Sequence, residues 1–370
     1  MAQILYHTAF LGDLLLSIPL MRQLRKEFSG EELHLVCRKG LGSFFKQLGL
    51  VDIVFEVEKG KGSSPYRVLL RELSDFKYQR LWCPHESVRS ALVTRQIKAK
   101  KRIGYYHWWN SGFFNQRSKR PMHLPEALRL MSLLAGLRGD FDQFLDKAKN
   151  LSNPQVLESW NSNSSQGLPD WASMDLMKAG VLSLDCREKL FDEARIQREN
   201  LGWQNKRIVI LAPGSNWPTK RWSLESYMKV ARSLVDQGFG VVLMGNQAER
   251  EICQYISESV PETKNWAGLT ELWSSFCLMT QAEIFVGNDS GATHLAVCAS
   301  LPVIALFGPT TLSLGYRPWS DRTLVVQRKL NCRPCGKHGA LVCPIQTHDC
   351  MNKIEPEEVI VAINDFLSPS

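Results

Sequence analysis

Two loops in the C-terminal half of the chain carry residue types that bind phosphate. The first loop is residues 286–294, VGNDSGATH, which follow an apolar strand pattern and open a helical one. A helix N-terminus presents backbone amides and the positive end of the helix dipole, and both favour an anion. The alternative is an ordinary helix cap made by Asp289 or Ser290. This segment alone does not decide between the two.

The second loop, residues 211–222 (LAPGSNWPTKRW), also follows a strand pattern and places two cations before a helix. Lys220 can meet a phosphate as a point charge, although most lysines are only solvated. Two loops of this kind make phosphate binding the better interpretation. The sequence holds neither the P-loop pattern GxxxxGK[ST] nor the dinucleotide pattern GxGxxG, so neither of those two phosphate-binding motifs accounts for the loops.

A single carboxylate follows the first strand pattern of the chain, in residues 7–13 (HTAFLGD). Ligands of α/β sheets bind at the carboxyl ends of the strands, and a general base needs a carboxylate near an acceptor hydroxyl. Asp13 is therefore a candidate general base. A helix N-cap is the alternative role for this residue, and the two roles can coexist.

Aromatic and basic side chains are mixed in residues 102–129. This combination suits a sugar, an anionic lipid headgroup or single-stranded nucleic acid, whereas the aromatic side chains alone could simply pack on a sheet. The net charge of +8 also favours an anionic partner. Charge does not choose between nucleic acid, a membrane surface and an acidic substrate.

Four of the ten cysteines lie close together near the C-terminus, at Cys332, Cys335, Cys343 and Cys350. Four thiols can hold a structural zinc ion. Their spacing is looser than that of a standard zinc ribbon or finger, so free thiols remain the alternative. A zinc ion here would stabilise the domain and take no part in chemistry.

The elements that position these residues alternate between short apolar strands and helical patterns, which predicts two parallel α/β sheets. A length of 370 residues also favours two domains. We predict an N-terminal domain with its linker over residues 1–190, a second domain over 191–352, and a terminal helix over 353–370. The chain shows neither a signal peptide nor an apolar run of membrane-spanning length, so we expect a cytoplasmic protein.

Four sequence blocks together resemble the heptosyltransferases of lipopolysaccharide core synthesis, glycosyltransferase family 9. The blocks are residues 10–19 (FLGDLLLSIP), 213–222 (PGSNWPTKRW), 245–249 (GNQAE) and 286–309, in which GNDSGATHLA precedes VIALFGP. They span nearly the whole chain in the family's order. The late cysteine pattern resembles the members that add the second heptose. Ser290 stands where the family often has Thr, and both supply a hydroxyl.

The resemblance implies the GT-B fold, in which two Rossmann-like, doubly wound parallel-sheet domains face a cleft and the C-terminal helix returns to the N-terminal domain. It implies that the second domain binds ADP-L-glycero-D-manno-heptose. The first domain would bind an acidic lipid-linked acceptor of the Kdo/heptose–lipid A type, at the cytoplasmic face of the inner membrane. The resemblance assigns the catalytic roles to Asp13 and Lys220. The donor-binding residues are Ser215, Thr219, Lys220, Glu249, Thr270, Asp289, Ser290, Gly291 and His294. Because the acceptor is expected to be acidic, we further expect Gly12, Arg117, Lys119, Arg120 and His123 to bind it.

The expected reaction is inverting transfer by direct displacement. No DxD-type pair of carboxylates stands in a suitable loop, so we expect no catalytic metal and no other cofactor for catalysis. A transferase or epimerase that uses another nucleotide sugar is the first alternative. A nucleic-acid-binding protein is the second, and it leaves the loops around Lys220 and Asp289 unexplained. We therefore expect no nucleic-acid partner.

Overall fold

The structure, a computed structural model, describes residues 1–59, 64–122, 124–135, 173–178 and 180–368. The chain forms two compact units, one of Met1–Val156 with Gly167–Ser173 and one of Leu157–Gln166 with Met174–Ser370. The predicted polar linker, residues 150–167, lies outside the described residues. No helix in the described part of the chain is long and apolar enough to cross a membrane.

The first unit contains a six-stranded parallel sheet in the order β3-β2-β1-β4-β5-β6. The strands are β1 (Ala2–Tyr6), β2 (Glu32–Arg38), β3 (Ile53–Val57), β4 (Tyr78–Cys83), β5 (Ala99–Tyr105) and β6 (Gln116–Ser118). The helices are α1 (Leu11–Leu15), α2 (Ile18–Glu27), α3 (Gly42–Gln47), α4 (Ser64–Glu72), α5 (Val88–Gln96) and α6 (Glu126–Met131). Every residue of β1 is buried, as expected for a central parallel strand covered on both faces. The strand order reverses beside β1, and such a switch point is where α/β sheets bind ligands.

The second unit repeats this plan, with a six-stranded parallel sheet in the order β12-β11-β10-β7-β8-β9. The strands are β7 (Ile208–Ala212), β8 (Gly240–Leu243), β9 (Lys264–Asn265), β10 (Ile284–Asn288), β11 (Val303–Phe307) and β12 (Thr323–Gln327). Here β7 and β10 are neighbours at the switch point, with Ala212 paired to Gly287. The loops that follow both strands therefore start side by side.

The helices of the second unit are α7 (Leu184–Leu201), α8 (Leu224–Asp236), α9 (Arg250–Ser259), α10 (Leu272–Met279), α11 (Gly291–Cys298), α12 (Asp349–Asn352) and α13 (Pro356–Leu367). The side chain of Ser183 caps α7 by accepting from the amide of Cys186, and Ser223 caps α8 in the same way from Ser226. The predicted α/β fold with two doubly wound parallel sheets is confirmed.

The C-terminal helix α13 corrects one part of the prediction. Its buried side chains Val359, Ala362 and Ile363 belong to the hydrophobic core of the second unit, and the helix packs on α8, β10 and β11. The prediction that this helix returns to the N-terminal domain is wrong, because its apolar face packs against the sheet of the second unit. The predicted boundary at residue 190 falls inside α7, which packs on α10 within the second unit.

Candidate functional site

Asn288, the last residue of β10, joins the two loops at the switch point of the second unit. Its amide nitrogen donates to the carbonyl of Pro213 at 2.8 Å and to that of Gly214 at 3.2 Å. Its Oδ1 accepts from the backbone amide of Trp222 at 3.1 Å and from the hydroxyl of Tyr227 at 3.2 Å. The side chain is fully buried, so both ends of the loop after β7 are fixed to the end of β10.

Lys220 and Asp289 meet where these loops converge. The ammonium of Lys220 donates to Oδ2 of Asp289 at 2.5 Å, with the side chains only 12% and 7% exposed. The same oxygen accepts from the hydroxyl of Thr310 at 2.6 Å. Thr310 is itself buried. Thr310, in the loop after β11, therefore positions the carboxylate of Asp289. This carboxylate in turn positions Lys220.

The start of helix α11 lies directly after this ion pair. Ser290 is the N-cap residue, but its side chain makes no capping hydrogen bond. The carboxylate of Asp289 is engaged by Lys220 and Thr310 instead. The capping interpretation that the sequence left open is therefore not supported by the side chains. Gly291 is the first residue of the helix and is partly exposed.

His294 is buried in the same helix, with 4% of its surface exposed. Its Nδ1 has no hydrogen-bond partner among the described residues. The pKa of this imidazole is lowered to about 4, mainly by burial; Asp289 opposes the shift and the charge of Lys220 adds to it. The ring is therefore neutral near pH 7, with an unused nitrogen beside the ion pair.

Glu249 is brought to the same loops from the end of β8. Its carboxylate accepts from the backbone amide of Asn246 at 2.9 Å, in a capping box. Burial raises the pKa of this carboxyl, while Arg221 opposes the shift. A Cβ built on Gly214 would stand 2.2 Å from Cδ of Glu249, so only glycine leaves room for the carboxylate at this place.

The remaining predicted donor residues have local partners. Ser215 is buried, and its hydroxyl accepts from the amide of Trp217 at 3.3 Å. The hydroxyls of Thr270 and Ser275 are hydrogen-bonded at 2.7 Å. The hydroxyl of Thr219 donates to the carbonyl of Ala340 at 2.5 Å and accepts from its amide at 3.1 Å. A direct contact of Thr219 or Thr270 with the donor stays a prediction.

The cysteine-rich segment packs against the loop that follows β7. Nε2 of His348 donates to the carbonyl of Thr219 at 2.7 Å, and the rings of His338 and Trp217 stack at 5.9 Å. None of the ten cysteines forms a disulfide bond. In the residues that the structure describes, no group of three side chains is arranged to hold a metal ion. The zinc site at Cys332, Cys335, Cys343 and Cys350 stays a prediction.

In the first unit, Asp13 lies in the first turn of α1, which follows the switch-point strand β1. The N-cap residue of this helix is Phe10, so the alternative role of Asp13 as an N-cap is wrong. Asp13 and Gly12 are both partly exposed. The carboxylate therefore lies at the carboxyl end of the sheet, where the sequence placed it.

The predicted acceptor cations do not form one cluster. Arg120 is engaged by two carboxylates, Glu86 and Glu126, and its side chain is 11% exposed. Arg117 and Lys119 are exposed, with the guanidinium of Arg117 5.1 Å from the ring centroid of Tyr106. His123 lies outside the described residues. Arg120 thus has a structural role that the sequence did not reveal.

The aromatic side chains of the same tract divide into two groups. Tyr105 and Phe114 are fully buried, and Trp109 and Phe113 pack on the core. Tyr106 and Trp108 are 52% and 84% exposed. The packing alternative is therefore correct for the first group only.

Comparison with solved structures shows the class of fold. An ADP-heptose lipopolysaccharide heptosyltransferase II from Escherichia coli superposes with a TM-score of 0.74 at 21% identity, covering 99% of this chain and 98% of that one. A glycosyltransferase of family 9 from Veillonella parvula gives a TM-score of 0.75 at 19% identity, covering 99% and 97%. The molecule therefore has the two-domain α/β fold of a glycosyltransferase.

The chain belongs to glycosyltransferase family 9 (heptosyltransferase), whose model matches residues 66–344. Among curated relatives, lipopolysaccharide heptosyltransferase 2 of E. coli K12 is 23% identical over 369 residues, covering 97% of this chain and 96% of that protein. Lipooligosaccharide heptosyltransferase 2 of Campylobacter jejuni is 30% identical over 171 residues, covering 44% of this chain. That match spans about half of the C. jejuni protein, 52% of its length.

Proposed function

We propose that this protein transfers heptose from ADP-heptose to the inner core of lipopolysaccharide, by an inverting displacement without a catalytic metal. The observation that carries the proposal is the buried pair of Lys220 and Asp289 at the start of α11, beside the neutral and unpartnered nitrogen of His294. The names of its relatives support the reaction. Several are called lipopolysaccharide heptosyltransferase 2, and the E. coli structure is called an ADP-heptose heptosyltransferase.

The donor half of the mechanism rests on electrostatics. As ADP leaves, negative charge grows on its diphosphate, and cations or amides already in place stabilise that charge without reorganising. Lys220 supplies the cation, and the amides at the start of α11 supply further donors. Asp289 and Thr310 hold the lysine in position. His294 can offer its free nitrogen to a hydroxyl of the sugar.

Glu249 is assigned to the nucleoside. Its carboxylate lies against Gly214 in the loop that carries Lys220, and one of its oxygens accepts only the local amide of Asn246 in the capping box. Carboxylates accept the two hydroxyls of a ribose well, as acidic residues do in other α/β nucleotide sites. The carboxylate and the lysine would then hold the two ends of the ADP group.

The acceptor half of the mechanism is assigned to Asp13. This carboxylate takes the proton of the acceptor hydroxyl as the oxygen attacks the anomeric carbon and the bond to the diphosphate breaks. A positioned base contributes roughly 10²- to 10⁴-fold in rate. Its place in the first turn of α1, after the switch-point strand of the first sheet, supports the role.

The test is an assay of sugar transfer to a core acceptor with ADP-, UDP- and GDP-sugars side by side. We expect transfer from ADP-heptose alone, and equal activity in EDTA. Asp13→Asn should lower turnover by roughly 10²-fold or more while leaving ADP affinity unchanged. Transfer from another nucleotide sugar, loss of activity in EDTA, or full turnover of the Asn variant would each contradict the corresponding part of the proposal.

We propose separately that the four cysteines near the C-terminus bind a structural zinc ion. These cysteines lie in the segment that holds Thr219 through Ala340 and His348. Metal analysis of the purified protein should find about one zinc per chain. Cys335→Ser should lose that zinc and lower the melting temperature. If the purified protein contains no metal and Cys335→Ser has an unchanged melting temperature, the four thiols do not bind zinc.

Peripheral association with the inner face of the inner membrane completes the proposal. The exposed side chains Tyr106 and Trp108 stand beside the exposed cations Arg117 and Lys119. Tryptophan and tyrosine favour the headgroup region of a bilayer, and basic side chains are attracted to anionic lipids.

A further inference from the structure

Two cations from neighbouring strands converge on one carbonyl group in the first unit. Nε of Arg38, at the end of β2, donates to the carbonyl of Thr8 at 3.2 Å. Nζ of Lys59, two residues after β3, lies 3.4 Å from the same oxygen. Thr8 itself follows β1, so all three residues lie at the carboxyl ends of adjacent strands. This edge of the sheet is where the fold binds ligands.

These two cations carry more positive charge than the surroundings neutralise. In the described part of the chain, neither Arg38 nor Lys59 forms an ion pair with a carboxylate. Burial lowers the pKa of Lys59, the charges of Arg38 and Arg89 lower it further, and Asp13 opposes the shift. Burial also lowers the pKa of Arg38, again opposed by Asp13. Among the described residues, Asp13 is the one carboxylate that shifts the pKa of both Arg38 and Lys59.

The geometry of Arg38 fits it for recognition of an oxyanion. Its guanidinium lies over the ring of Phe10, with Cζ 3.9 Å from the ring centroid. Stacking on an aromatic ring fixes the plane of the guanidinium. Among the described residues, Nε is the one nitrogen of this guanidinium with a hydrogen-bond partner, the carbonyl of Thr8. The two terminal nitrogens can then bind a carboxylate or phosphate in the bidentate manner that arginine favours.

The buried His7 and the partly exposed His85 lie near this cluster. Nδ1 of His7 lies 3.4 Å from Nε2 of His85, and Nε2 of His7 is buried without a hydrogen-bond partner in the described residues. The pKa of His85 is lowered to about 4, mainly by burial and in addition by the charges of Lys59, Arg120 and Arg38. The rings are therefore neutral near pH 7. The positive charge of the cluster also lowers the pKa of both rings.

We propose that Arg38 and Lys59 form a binding site for an oxyanion carried by the acceptor saccharide, a carboxylate or a phosphate ester, and thereby hold the acceptor beside Asp13. The inference rests on the proposed function for the identity of the acceptor. It adds two residues that the sequence did not assign. It also replaces Arg120, whose charge is taken by Glu86 and Glu126, as the cation that meets the acceptor.

The first test is kinetic. Arg38→Gln combined with Lys59→Gln should raise the KM for the acceptor at least tenfold and leave the affinity for ADP unchanged. Lys39→Gln, an exposed neighbour of Arg38, is the matched control and should behave as the wild type. Arg38→Lys, which keeps the positive charge, should raise the acceptor KM less than the double variant does. An unchanged acceptor KM in the double variant would overturn the inference.

The chemical source of the oxyanion is found by changing the acceptor. Removing its phosphates or reducing its carboxyl groups to alcohols should raise the KM of the wild type, and the treatment that does so identifies the group. With that treated acceptor, wild type and double variant should have the same KM. The KM of the double variant could exceed that of the wild type by the same factor with the neutral acceptor as with the charged one. In that case the two side chains affect only the folded structure, and the inference is wrong.

The second test does not depend on transfer. The ring signals of His85 are followed by NMR during a pH titration, with and without inorganic phosphate. Phosphate bound at Arg38 and Lys59 offsets their charge and should raise the pKa of His85 in the wild type but not in the double variant. A pKa that phosphate leaves unchanged would overturn the site. A raised pKa in a protein that transfers no heptose would overturn the proposed function and leave the anion site standing.

Discussion

At the scale of single residues, the pair of Lys220 and Asp289 has two separable roles. Breaking a buried ion pair by removing one partner costs about 3–5 kcal/mol, because the other charge is left uncompensated. Lys220→Gln should therefore lower stability as well as ADP affinity. Combining it with Asp289→Asn removes the buried charge on both sides, so the melting temperature should recover while ADP binding stays weak.

Thermal unfolding and calorimetric titration with ADP measure the two roles in the same samples. The informative result is the behaviour of the double variant. If its ADP affinity returns together with its melting temperature, Lys220 acts only through the fold, and its assignment to the diphosphate is wrong.

His294 gives a pH-dependent prediction at the same scale. Its pKa is about 4 in the folded protein against 6.5 for a free histidine. Between these values the unfolded chain binds more protons, so stability is lost as the pH falls from 7 towards 4. At pH 5 the loss from this residue is about 2 kcal/mol.

The measurement is denaturant unfolding of wild type and His294→Gln at pH 7 and pH 5. His85 also has a lowered pKa, so both proteins should lose stability, and the difference between them isolates His294. An equal loss in the two proteins would mean that this ring takes up its proton as easily in the folded state as in the unfolded one.

At the scale of elements, the sequence predicted the loops well because glycine and proline mark the ends of buried apolar strands. The succession of strands and helices along the chain, and the position of Lys220 and Asp289 just after strands, followed from that local pattern. Asn288 and Thr310 were missed because their partners are distant in sequence, as with Asn288 and Pro213. A polar residue that ends an otherwise apolar strand was the available signal for Asn288.

Contacts between elements that are distant in sequence also account for what the sequence did not reveal. Arg120 looked like a free basic side chain, because nothing local shows that Glu86 and Glu126 neutralise it. The terminal helix was placed on the wrong domain for the same reason. Its apolar stripe of Val359, Ala362 and Ile363 predicts burial but not the surface that covers it.

Gly214→Ala tests the contact between the two elements that we propose hold the donor. The new Cβ would stand 2.2 Å from Cδ of Glu249, so the flexible carboxylate must move. Because the displaced atoms are the end of a side chain, we expect a small change in melting temperature. ADP affinity should fall by roughly tenfold, the value of one lost charged hydrogen bond.

Gly30→Ala is the control, because a Cβ at that position meets no atom within 4 Å. Glu249→Gln should reproduce the weaker ADP binding without the steric change. If Gly214→Ala and Glu249→Gln both bind ADP as tightly as the wild type, Glu249 does not hold the nucleoside and serves only as the cap of its own helix.

At the scale of the whole molecule, the net charge of +8 and the exposed aromatic side chains predict binding to an anionic lipid surface. Trp108 is 84% exposed and Met122 59% exposed, in the same stretch of sequence as the exposed Arg117 and Lys119. A basic residue near such a surface contributes about 1 kcal/mol. We expect the protein to sediment with vesicles that contain phosphatidylglycerol, to bind neutral vesicles much less, and to dissociate as the salt concentration rises.

Two variants separate the local surface from the overall charge. Trp108→Ser should weaken vesicle binding, whereas Tyr255→Ser, a change at another large exposed side chain, should not. Replacing both Arg117 and Lys119 with Gln should reduce the salt dependence as well as the affinity, because fewer lipid charges are then neutralised. Equal binding by the Trp108 and Tyr255 variants, together with an unchanged salt dependence in the double Gln variant, would show that attraction to the membrane comes from the total charge and that this surface has no special role in it.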